Sequence, residues 1–215
     1  MSGSEEKGGP LRLVVFGATG HLGRDLIEQL DASDWPVAEI VGVATAASVG
    51  EDIEFRGDVV EIVGEWPALK GRDLVFICTP TAPALEVVRE ALRAEVPCID
   101  CTGVLAGQDG VLMPAIGPGF AALSPAESEA FAQAPLLALP SSTALAWAPL
   151  LASFGSKLSR VIGTVVSSAA AMGRRGVVSL SEESIALFNQ DGDQPVGPAG
   201  QPVAFDVIPG GGIDS

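Results

Sequence analysis

Leu11-Arg12-Leu13-Val14-Val15-Phe16, then Gly17-Ala18-Thr19-Gly20-His21-Leu22-Gly23, then Arg24-Asp25-Leu26-Ile27-Glu28-Gln29-Leu30: this stretch decides the fold. The first run is apolar and β-prone, and the third spaces its apolar residues as a helix does. A glycine-rich turn between a strand and a helix is an anion site. It lets backbone approach a pyrophosphate, and the free N–H groups of the helix start point at it. A dinucleotide is therefore the first ligand to consider, against the plainer reading of a vestigial turn.

The pattern repeats downstream. Residues 38–44 read as a second strand and 73–78 as a buried parallel strand, followed by a helix over 83–94 and a strand over 96–101. Residues 52–55 and 58–63 alternate as short strands or an edge hairpin, and 136–139 supply a last strand. This order predicts a Rossmann-type α/β fold with a doubly wound parallel sheet over residues 11–140, after a disordered lead over 1–10. Ligands of such sheets bind beyond the carboxyl ends of the strands. Those ends place Gly17, Thr19, Gly20, His21, Leu22 and Gly23, then Thr45 and Ser48, then Thr79, Pro80 and Thr81 around one crevice. The second strand ends without an acidic residue for a ribose hydroxyl; Thr45, Ala46, Ala47 and Ser48 stand there. Farther on, Gly117-Pro118-Gly119 reads as a loop. A helix over 144–154 is capped by Ser141 or Ser142 and interrupted or kinked by Pro149. A strand over 159–167 and a helix over 180–189 follow. The Gly/Pro-rich remainder from Gln190 is a long loop.

Bulk composition narrows the classes. The 215 residues carry 27 acidic and 12 basic side chains, a formal net charge of −15, which argues against duplex nucleic acid as a partner. The N-terminus is polar and no apolar run approaches membrane-spanning length, so the expectation is a cytoplasmic chain. Hydrophobic residues reach 47% against 18% charged, with no tyrosine. Either an Ala- and Val-rich core or a surface covered by another chain explains this. Cys98 and Cys101 form a C-x-x-C on a strand, where positions three apart point to opposite faces, so ordinary buried cysteines are expected. With three cysteines and one histidine, His21, no metal site is expected. His21 reads as a helix-start residue beside the ligand or, alternatively, as a group in the chemistry. In Leu139-Pro140-Ser141-Ser142-Thr143 a hydroxyl caps the helix or serves as a nucleophile, for which no base is at hand.

Several of these segments resemble one family in the same order along the chain. The glycine turn, Trp35-Pro36-Val37-Ala38-Glu39-Ile40 and the 44–50 loop are similar to the N-terminal domain of aspartate-β-semialdehyde dehydrogenase. So are Val96-Pro97-Cys98-Ile99-Asp100, the Gly173-Arg174-Arg175-Gly176 loop, and Pro202-Val203-Ala204-Phe205-Asp206-Val207-Ile208-Pro209. The resemblance implies NADP- or NAD-dependent reduction of an acyl phosphate to an aldehyde, through a cysteine thioester with a histidine base. Carried over by position, the nucleophile falls on Ser142, the acyl-orienting glutamine near Ser167, a phosphate-binding arginine near Ala106 and the 2′-phosphate arginine on Ala47. The family's catalytic histidine lies in a part of its fold that this chain lacks. Residues 141–215 then correspond to an incomplete α+β dimerisation domain, its remainder separate, cleaved or lost. The expectation is a catalytically silent relative acting as a binding or scaffold subunit in a homo- or hetero-oligomer. The alternative is an active NAD(P)-dependent oxidoreductase completed by a partner chain.

Overall fold

The computed structural model describes residues 9–113, 125–190 and 196–208. The expected loop at 117–119 and most of the expected lead lie outside them. Two compact units divide the chain after Arg160.

In the first unit β1 (Leu11–Phe16) leads through the glycine turn into α1 (His21–Asp31), then β2 (Val37–Val43). A two-stranded hairpin, β3 (Glu54–Phe55) and β4 (Asp58–Val59), precedes β5 (Glu61–Val63). Next come β6 (Leu74–Ile77), α2 (Thr81–Arg93), β7 (Cys98–Asp100), α3 (Pro125–Gln133), β8 (Leu136–Ala138) and α4 (Ser142–Ala152). The main sheet runs β5-β2-β1-β6-β7-β8 with every pair parallel. The chain winds outward from β1 to β5, returns to β6 and winds out the other way. The switch falls between β1 and β6, and the carboxyl ends of these strands are where sheets of this topology bind ligands.

Strand alternation sorts the core into two layers. Val14 and Phe16 join Val75, Ile77 and the Ala84, Val87, Val88, Ala91 stripe of α2 on one face. Leu13 and Val15 join Ile40, Phe76 and the Ile27, Leu30 positions of α1 on the other. The expected doubly wound sheet is present, with helices α1 and α2 starting two residues earlier than their periodicity indicates. Helix α4 continues through Pro149, with Ser153 N–H donating to the Pro149 carbonyl at 3.3 Å.

Two expectations are corrected. No strand forms over 159–167; the run is irregular, with Ile162 and Val166 each 80% exposed. β-branched residues favour a strand only where a neighbour offers a hydrogen-bonding edge, and none among the described residues does so here. The Gly173-Arg174-Arg175-Gly176 segment is not a loop but the first turn of α5 (Gly173–Asn189). Its helical start is admitted by Gly173 at φ +69°, which reverses the chain after a short 3-10 turn at Ala169–Met172. Within this second unit α5 and the segment 196–208 pack together around Glu183.

Candidate functional site

The glycine turn is a cradle that side chains would fill. Gly17 sits at φ +80°, and a Cβ there would stand 2.5 Å from the Cys78 carbonyl oxygen at the end of β6. A Cβ on Gly23 would stand 2.2 Å from the Gly17 carbonyl oxygen. The turn is pinned from the other side: Gly17 and Ala18 N–H both donate to the Val43 carbonyl at the end of β2, at 2.8 and 3.2 Å. Gly20 is the N-cap of α1 and supplies no side-chain cap, so nothing from a cap side chain shields the first-turn amides. The macrodipole adds partial positive charge there. Thr19 is buried, whereas His21 and Leu22 face out from the first turn.

Thr79 stands across the switch point, its methyl group 3.2 Å from where a Gly17 Cβ would lie. Its hydroxyl is buried and, among the described residues, has no hydrogen-bond partner. An unpaired buried hydroxyl costs about 1–3 kcal/mol, so a ligand oxygen that meets it recovers that cost. Pro80 is the N-cap of α2 and Thr81 its first residue. Beyond β2, exposed Thr45 precedes a 3-10 turn at Ala46–Ser48, closed by Ser48 N–H on the Thr45 carbonyl at 2.8 Å. The candidate residues of the three strand ends thus line one edge of the sheet.

Ser142 is exposed and opens α4 beyond β8. Its neighbour Ser141 is the cap, accepting from Ala144 N–H at 3.2 Å. His21 follows β1, and β6 and β7 intervene before β8. Three strand spacings separate the two positions by roughly 14 Å, too far for His21 to take a proton from Ser142.

Asp100 is a residue that sequence spacing did not single out. Fully buried at the end of β7, it accepts from Thr102 N–H at 2.8 Å, Thr102 Oγ1 at 2.6 Å and Leu105 N–H at 2.8 Å. These bonds fold the 101–105 turn over the end of the sheet. Gly103, at φ +75°, lets that turn approach the Leu139 carbonyl; a Cβ would stand 3.1 Å from it. Cys98 and Cys101 do point to opposite faces, each into a different core layer. Burial, with the Asp100 charge second, pushes the Cys98 thiol up to about 11. A hydrogen bond with Cys101, then burial, raises Cys78 as well. Both are protonated, unreactive thiols at neutral pH. Among the described residues no cluster of three or more acidic, His or Cys side chains is gathered for a metal, and no helix is long and apolar enough to cross a membrane.

The second missed feature is Arg24 on α1. Its Nε donates to the Thr19 carbonyl at 3.3 Å, and its Nη2 pairs with Glu51 Oε2. The guanidinium therefore ties the glycine turn to the segment beyond β2. The signal was a carboxylate eight residues past that strand, outside the positions where a ribose-binding acid is sought first.

Known proteins resemble parts of this chain. Residues 12–116 match the family described as semialdehyde dehydrogenase, NAD binding domain. An aspartate-semialdehyde dehydrogenase of Synechocystis is 32% identical over 92 residues, 42% of this chain and 27% of that one. A USG-1 protein homolog of Pseudomonas aeruginosa is 29% identical over 188 residues, 84% of this chain and 53% of its own length. This chain thus spans about half of that relative's length, and its match covers less of the Synechocystis enzyme. Among solved structures, a probable aspartate-semialdehyde dehydrogenase from Pseudomonas aeruginosa superposes with a TM-score of 0.72 at 23% identity, covering 92% of this chain and 58% of that one. Aspartate semialdehyde dehydrogenase II of Vibrio cholerae gives 0.69 at 19% identity, covering 93% and 58%. At these identities the superpositions establish the fold.

Proposed function

We propose, from the premise that residues 12–116 match the semialdehyde dehydrogenase NAD-binding domain family, that the chain binds a nicotinamide dinucleotide, NAD or NADP, and alone does not turn over a semialdehyde. Binding is supported by the glycine cradle at the switch point with the unpaired Thr79 hydroxyl beside it. The first-turn amides of α1 and the backbone at Gly17 and Gly20 would hold the pyrophosphate. Bound there, the cofactor would supply a hydride acceptor or donor.

Silence rests on Ser142. At the place of the family's cysteine stands an alcohol, with the single histidine three strands away. A serine hydroxyl without an adjacent base is a poor nucleophile at neutral pH, where a cysteine already has some thiolate. The chain then acts as a binding or scaffold subunit, pairing with itself or with a related chain. The apolar side chains exposed in the second unit, Ile185, Phe188, Phe205 and Val207, fit a surface that another chain covers.

The second reading, an oxidoreductase completed by a partner chain carrying the base, draws on the intact cradle. Titration with NAD and NADP by calorimetry tests the binding, with saturation expected below millimolar cofactor. Phosphate-dependent dinucleotide reduction with aspartate semialdehyde, measured on the purified chain, tests the silence. No rate above background is expected. A rate abolished by Ser142→Ala overturns the silent reading, and a rate found only with a copurifying chain favours the second.

A further inference from the structure

We propose that Glu51, locked by Arg24, makes the adenosine end of this crevice select NAD over NADP. The inference rests on the dinucleotide reading above and adds a residue to it. The segment from Ala44 to Asp52 contains no lysine or arginine; the charges it brings beyond β2 are Glu51 and Asp52. Arg24 reaches this place, and it is committed. Its Nε is held by the Thr19 carbonyl, and its Nη2 by Glu51.

The two side chains are 40% and 28% exposed, so the pair is less screened than one in open water. Glu51 is also fixed through its backbone. Its N–H donates to the Ser48 carbonyl at 3.2 Å, and Gly50 at φ +90° makes the turn that brings it there.

The chemistry separates the two cofactors. A ribose diol offers two O–H donors, and a carboxylate accepts both. A 2′-phosphate offers only negative charge and acceptors. It would meet the Glu51 carboxylate, and it could gain the Arg24 guanidinium only by displacing Glu51 from it. The formal net charge of −15 opposes the more anionic cofactor in the same direction.

The test is calorimetric titration of the full chain with NAD, NADP, ADP-ribose and 2′-phospho-ADP-ribose. NAD is expected to bind roughly 10- to 100-fold tighter than NADP, the range of a charge-assisted hydrogen bond. The two ADP-ribose forms should show the same ratio, which assigns the difference to the adenosine end. Glu51→Gln is expected to weaken NAD and tighten NADP, since it releases Arg24. Adding Ala47→Arg to Glu51→Gln should carry the preference over to NADP. Equal affinities, tighter NADP binding, or a ratio that a folded Glu51→Gln protein leaves unchanged would overturn the inference while leaving the binding site standing. Absence of binding by either cofactor would instead remove the site reading itself. The wild-type ratio decides the matter even where a variant fails to fold.

Discussion

Thr79 is where a single atom separates binding from stability. Its buried hydroxyl has no partner among the described residues, so Thr79→Val removes a polar liability from the unliganded protein. Thermal unfolding should show an unchanged or higher melting temperature, while dinucleotide affinity drops roughly tenfold through one lost hydrogen bond. A merely structural threonine would move both quantities the same way. Gly23 gives the opposite profile. Its missing Cβ is the room taken by the Gly17 carbonyl at 2.2 Å, and that contact is backbone, which cannot swing aside. Gly23→Ala should cost about 1–3 kcal/mol, read as a lowered denaturation midpoint, and abolish cofactor binding together with it.

At the scale of elements, the α5 clasp makes a pH prediction. Burial pushes the Glu183 carboxyl upward, but hydrogen bonds from Val203 N–H, Ser179 Oγ, Ala204 N–H and Gly197 N–H outweigh it, and the pKa falls below the ordinary glutamate value. A carboxylate with a depressed folded pKa contributes stability that is full above its unfolded pKa and fades as pH falls through the folded one. The second unit should therefore loosen selectively in acid, and Glu183→Gln should flatten that response. Gly197→Ala should open the clasp at every pH, because its Cβ would stand 1.8 Å from Ser179 Oγ. Both effects are readable by amide hydrogen exchange over 196–208. Elements of the first unit were legible because their signals are local: an uninterrupted apolar β-prone run for Leu13 to Phe16, a 3.6 period for Ala84 to Ala91. The strand ends that frame the candidate site were legible for the same reason. What stayed hidden depends on distant partners. Arg24 meets Glu51 across 27 residues, and Glu183 meets Val203 across 20. The β-branched run at 159–167 has strand propensity but, among the described residues, pairs with no neighbouring strand, and no local pattern records that.

For the whole molecule, charge and exposed apolar surface act together. A chain of formal charge −15 repels an anionic cofactor at long range, whatever short-range contacts the glycine turn offers it. Added salt should therefore leave dinucleotide affinity unchanged or improve it, the reverse of a basic site, as titration at two ionic strengths will show. Native mass spectrometry should find more than one chain per particle, with Phe188 and Phe205, each 78% exposed, protected from surface labelling in the assembly. The Glu183 clasp has one more consequence. Because the bonds that hold the 197–204 segment in the second unit converge on one carboxylate, the scission rate of that segment by an acid-tolerant protease becomes an indicator dye for a single proton. Divided by the rate for the Glu183→Gln chain, which cancels the protease's own pH response, cleavage plotted against pH would follow the release of this segment as Glu183 gains its proton.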